Sequence, residues 1–220
     1  MIHVHHLADS RSQRVLWLLE ELGLDYEVVR YERDPQTYLA PPALKAIHPL
    51  GKSPVVEVGD IRVAETGAIV EWLLETYDKG QLRPPAGTEA ARRFTYWLHY
   101  SEGSAMTPLL LKLVFSRLPS GAPGLVRPLV KTIAAKAQSG FVDPQLETHI
   151  AYWEAELGKS DWFAGEAFSA ADIMMSFPLE AATARAGAGE RPRIRAFLDR
   201  IHARPAYRAA LARGGPYAYA

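Results

Sequence analysis

Three short stretches in the first seventy residues carry groups suited to binding a small charged ligand. In "ADSRSQR", Ser10, Arg11 and Ser12 stand before an apolar run that reads as a helix. The amide groups and dipole at a helix start favour an anion, and a serine hydroxyl can donate a hydrogen bond to it. Either serine serves equally well as a helix cap. In "GKSPVV", Pro54 opens a strand and cannot donate to the ladder, so the Ser53–Pro54 bond falls at a strand entry or a tight turn. Most such bonds are trans, and trans is the default here; a cis bond would suit this place and leave the backbone of Ser53 open to pair with an extended peptide. In "ETGA", Glu65 and Thr66 stand at the mouth of another helix, where Thr66 can cap or hold a carboxylate and Glu65 can take an ammonium group. An acid beside a carboxylate-binding helix end suits an amino-acid head group.

The elements that must position these groups follow from pattern. "IHVHHL" and "DYEVVRYE" read as strands flanking a helix with apolar positions Val15, Leu16, Leu18, Leu19 and Leu22, which Gly23 ends. A strand, helix, strand unit of this length favours parallel pairing. After a proline-rich loop, "SPVVEV" and "IRVAE" form a hairpin about Gly59 and Asp60, and "ETGAIVEWLLETY" forms a helix. The order is thus βαβ and then ββα over residues 1–80.

"DKGQLRPPAGT" concentrates glycine and proline and marks a boundary, and residues 88–220 read as a second, all-helical domain. Its firmest helices are "VDPQLETHIAYWEAELG", "SAADIMMSFPLEAATARAG" and "RIRAFLDRIHARPAYRAALA". In the second of these, Ser169 and Asp172 have the spacing of a capping box. His3, His5 and His6 cluster near the start, but no further ligand stands at metal spacing, so a strand without metal is expected.

Composition narrows the chemistry. The 220 residues hold 25 basic and 25 acidic groups, so no net field draws the chain to nucleic acid or an anionic membrane. No run is long and apolar enough to span a bilayer and the opening lacks a signal-type apolar stretch, which leaves a cytoplasmic protein as the expectation. Cysteine is absent, so any sulfur chemistry must use a ligand's sulfur.

Taken in order, "SRSQR" opening helix one, "GKSPVV" before strand three, "ET" opening helix three and the helical second half resemble the cytosolic glutathione S-transferases over nearly the whole chain. "SRSQRVLWLLEELGLDYE" looks most like a bacterial and fungal serine-type branch. The resemblance implies a thioredoxin-like first domain, glutathione as co-substrate, a hydrophobic electrophile as second substrate, and a homodimer. Glu65 and Thr66 would hold the γ-glutamyl head, Ser53 beside Pro54 the cysteinyl backbone, and Lys52 the glycyl carboxylate. Ser10, four residues before Arg14, would donate to the thiol, with Ser12 as second choice and Arg11 adding positive potential. A free thiol is only about 3% ionised at pH 7, so such a donor matters.

The same resemblance places the electrophile against Tyr96, Tyr100, Gly103 and Met106 on one helix, with Glu102 reaching glutathione across the dimer. His48 and Thr66 stand where many relatives carry asparagine and serine. Peroxide reduction by the same thiolate, and a non-catalytic glutathione-binding module, are the rival readings.

Overall fold

A computed structural model describes residues 1–219. Strand β1 (Ile2–Leu7) pairs in parallel with β2 (Tyr26–Tyr31), joined through helix α1 (Gln13–Glu21). On its other edge β1 pairs antiparallel with β3 (Val55–Val58), which turns at Gly59 and Asp60 into β4 (Ile61–Ala64). The sheet order is β2-β1-β3-β4, and helix α3 (Thr66–Tyr77) follows. The "PPALKAI" stretch, read from sequence as loop, contains the short helix α2 (Ala43–Ile47).

The boundary at Asp78 is built by its carboxylate, which accepts from the amides of Gln81, Leu82 and Arg83 and so folds the proline-rich linker. Beyond it come α4 (Glu89–Tyr100), a π-helical segment (Ser101–Ala105) and α5 (Met106–Arg117) in one continuous rod. Then follow α6 (Arg127–Ala137), a second π segment (Gln138–Val142) and α7 (Asp143–Leu157). Helix α8 (Ala170–Ala186) is buried from Ala170 to Ala182, as a helix apolar on all sides should be. The box between Ser169 and Asp172 forms at its start, where the Asp172 carboxylate accepts from the amides of Ser169 and Phe163 at 2.8 Å each.

The stretch "RIRAFLDRIHARPAYRAALA" is two helices, α9 (Pro192–His202) and α10 (Pro205–Gly214). Pro205 has no amide hydrogen to continue α9, and Arg204 before it is extended, so the chain bends and restarts with proline in the first turn. The bend returns α10 onto α1. There Gly214 allows the close approach, since a Cβ would lie 2.9 Å from the buried side-chain ends of Gln13 and Leu16. Helix α1 is therefore packed on both sides, and Gln13 through Leu19 are all buried, Arg14 among them.

Candidate active site

Strand register brings the three sequence stretches to one end of the sheet. The pairing of His5 with Val55 sets the carboxyl end of β1 beside Ser53, and that of Val55 with Ala64 sets Ser53 beside Glu65. The Ser53 hydroxyl ties the corner by donating to the His5 carbonyl (2.8 Å) and accepting from the Leu7 amide (3.1 Å). The Ser53–Pro54 bond is cis. Glu65 is exposed and held at φ +71°, a costly backbone for a residue with a side chain, while Thr66 beside it is buried.

The two serines have different surroundings. Ser10 lines a cleft of about 600 Å³ between the domains, and its Oγ accepts from the Ser12 amide at 3.2 Å. Ser12 is completely buried, with its Oγ 2.7 Å from Ser10 Oγ and 2.8 Å from His6 Nδ1. Neither hydroxyl caps α1 in the expected way: Ser12 is its N-cap residue in helical conformation, with no side-chain bond to the helix. Burial, reinforced by the charge of Arg30, lowers the His6 pKa to about 4, so the ring supporting Ser12 is neutral near pH 7. His5 turns instead to Tyr31 and Glu57, and His3 to Glu27, which separates the three histidines.

Arg11, Lys52 and Ser53 also line the cleft, as does Met106. Tyr96, Tyr100 and Gly103 do not. Tyr100 is buried inside the second domain, bonded to His149 and accepting from the Trp153 indole at 3.0 Å, and Tyr96 stacks on its ring. Gly103 faces solvent. The resemblance that grouped these residues treats them as one helix, whereas Tyr96 and Tyr100 lie on α4, Gly103 lies within the π segment, and Met106 opens α5 in a shifted phase. After it, Met106, Leu110, Leu113 and Arg117 form the cleft-facing stripe of α5. Their 4-3-4 spacing is the signal from which that wall was readable.

Glu102, expected to cross to a partner subunit, is engaged within its own chain. Arg11 and Arg14 each bond one of its carboxylate oxygens. Burial opposes its charge, but the two guanidinium groups outweigh it and hold the carboxyl below its ordinary range. Arg14 also donates to the Met174 carbonyl (2.8 Å), so this cluster bolts α1 to the second domain directly behind Ser10. The rest of the cleft comes from residues that sequence did not single out: Asp9, Arg33, Tyr38, Phe177, Arg185 and Tyr219.

A sheet layer with a hydroxyl, a Ser–cis-Pro corner and an acidic helix mouth at one end, roofed by a helical domain, defines a two-domain thioredoxin-like architecture with a cleft between the layers. Comparison with known proteins specifies it. Residues 1–75 match the family model "Glutathione S-transferase, N-terminal domain", and residues 134–213 match "Glutathione S-transferase, C-terminal domain". The chain is 35% identical to Glutathione S-transferase 1 of Saccharomyces cerevisiae over 95% of its own length and 93% of that protein's. It is also 35% identical to Glutathione S-transferase 3 of Schizosaccharomyces pombe, over 83% of this chain and 74% of the relative. A crystal structure of a glutathione S-transferase from Actinobacillus pleuropneumoniae superposes with a TM-score of 0.84 at 35% identity, covering 100% of this chain and 95% of that one. The chain belongs to the glutathione S-transferase family, enzymes that join the glutathione sulfur to an electrophile.

Proposed function

We propose that this enzyme works as a serine-type transferase in which the Ser10 hydroxyl donates to the bound glutathione sulfur. One observation carries this assignment: of the two hydroxyls at the start of α1, Ser10 lines the cleft and Ser12 is turned to His6. The Ser12 amide fixes the Ser10 oxygen in place, which leaves its single hydrogen to rotate between Ser12 Oγ and an anion in the cleft. A thiolate is the stronger acceptor because it is charged.

Glutathione would lie along the sheet end. Its γ-glutamyl ammonium meets Glu65 and its carboxylate the start of α3 at Thr66, its cysteinyl backbone runs beside Ser53 and Pro54, and its glycyl carboxylate meets Lys52. Arg11, half exposed and paired with Glu102, adds positive potential beside Ser10. The protein contributes ionisation and proximity, and glutathione supplies the nucleophile. The acceptor packs against the α5 stripe and Phe177. On the same family reading the chain works as a cytoplasmic homodimer.

The test is steady-state turnover of glutathione with an activated aryl halide, run beside cumene hydroperoxide, together with retention on immobilised glutathione. Retention with faster aryl conjugation is expected. A chain that is not retained, or is retained without any turnover, refutes this reading, and dominant hydroperoxide reduction replaces it with the peroxidase.

A further inference from the structure

The charge of the cleft is lopsided in a chain whose 25 basic and 25 acidic residues otherwise balance. Arg11, Arg33, Lys52, Arg117 and Arg185 line it, against the single carboxylate of Asp9. Glu102 neutralises Arg11, and Lys52 sits at the sheet end assigned to glutathione. Three guanidinium groups remain around the acceptor side. Among the described residues none of the three has a carboxylate oxygen within 4.0 Å.

Their existing contacts hold them in place without cancelling their charge. Arg33 donates to the backbone carbonyls of Ala8, Asp9 and Tyr38. Arg185 donates to the Tyr219 hydroxyl at 2.6 Å, and Arg117 lies 3.9 Å over the Tyr38 ring. Burial pulls the Arg33 pKa down, against the opposing pull of Tyr219 and Asp9, so an anion placed here would compensate a guanidinium partly stripped of water. Met106, Leu110, Leu113 and Phe177 supply apolar surface alongside.

We propose that the acceptor half of the cleft selects electrophiles bearing a carboxylate on an apolar or aromatic body, with Arg117 and Arg185 binding the carboxylate and Arg33 reinforcing the field. A planar guanidinium matches a carboxylate in shape and charge, and the cation–π contact and tyrosine hydroxyl hold two of the three before substrate arrives. The inference rests on the reading of Ser10 and glutathione above, and adds the class of the second substrate. For an aryl halide acceptor, the thiol proton leaves to solvent and the sulfur forms a C–S bond at the halogen-bearing carbon. The C–Cl bond breaks, chloride departs with its electron pair, and the carboxylate is unchanged.

The probes are 4-chloro-3-nitrobenzoate and its methyl ester, which differ at the group the arginines would read. At saturating glutathione and low ionic strength, kcat/KM for each is divided by its uncatalysed rate constant. The benzoate is expected to exceed the ester by about tenfold, the size of one charge-assisted contact. That ratio should fall towards one in the Arg117→Gln/Arg185→Gln double variant, and in the unaltered enzyme at high salt. Parity or ester preference in the unaltered enzyme overturns the proposal and leaves conjugation standing. A double variant with a raised KM for glutathione and an unchanged ratio also overturns it, because the cations would then serve glutathione. Failure to turn over either probe by an enzyme that conjugates the aryl halide above also overturns the proposal, and failure on all three acceptors refutes the conjugation reading with it.

Discussion

Replacing Ser10 by alanine should raise the pKa of the bound glutathione thiol by about one to two units. A hydrogen bond to a charged acceptor contributes about 1.5–3 kcal/mol, and one pKa unit corresponds to about 1.36 kcal/mol. Ser10 is 7% exposed, so its bond to sulfur forms largely out of water, where such a bond keeps its strength. With the donor in place, a thiol starting near 8.5 ionises at roughly 6.5–7.5. Without it, the acid limb of the kcat profile moves up by the same one to two units. At pH 6.5 the rate therefore falls by about ten- to fiftyfold, while at high pH the two proteins converge. Glutathione affinity should stay within a few-fold, because Glu65, Thr66, Ser53 and Lys52 are untouched. The Ser12 amide loses its acceptor, at a cost to folding of about 1 kcal/mol. The assay is ultraviolet titration of thiolate absorbance in the binary complex, paired with the pH profile of turnover. An acid limb unmoved in Ser10→Ala but displaced in Ser12→Ala would refute the assignment and transfer the role to the buried serine.

Other residues have effects of definite sign. His6 titrates near 4 when folded and near 6.5 when unfolded, so the unfolded chain binds more protons between those values. Stability is fully present above pH 6.5 and declines by roughly 3 kcal/mol as pH falls to 4. Urea midpoints at pH 7.5 and 5 should show about 2 kcal/mol of that decline, and a His6→Asn variant should lack most of it; parallel curves would contradict it. Glu102→Gln leaves the buried Arg14 without its counter-charge. The cost should be about 2–3 kcal/mol, below the usual figure for a fully buried pair because the glutamate is 26% exposed. A loss of roughly 5–10 °C in Tm checks it, and an unchanged Tm rejects the bolt between domains. Glu65→Gln keeps shape but removes the charge assigned to the ammonium group, so the KM for glutathione should rise about tenfold with Tm nearly constant. An unaltered KM would place the head group elsewhere.

The geometry of the sheet end assigned to glutathione was legible because its signals are local. Pro54 marks its corner through its missing amide hydrogen, Glu65 and Thr66 stand where an apolar helical run begins, and β-branched runs give the strands that carry them. The spacing within "GKSPVVEVGDIRVAET" already contains the hairpin that sets Ser53 beside Glu65. The acceptor half was not legible in that way. Tyr96 and Tyr100 share a helix face with each other but not with the cleft, since the π segment after Tyr100 turns α5 to a new phase. No propensity in "SEGSA" announces that segment. The break at Pro205 could have been read from the proline alone, and it is the bend that lets α10 bury α1.

The sequence by itself determined the βαβ and ββα order, the helical second half, the absence of a cysteine nucleophile and the residue types proposed to meet glutathione. Tertiary structure alone decided which serine meets the cleft, because β1 places His6 where it draws Ser12 inward and leaves Ser10 at the surface of the cavity. It also decided that Glu102 serves Arg11 and Arg14, and that Arg33, Arg117 and Arg185, up to 152 residues apart, face one space. Periodicity and capping are properties of neighbours in the chain. The charge of a cleft is a sum over residues that only folding brings together.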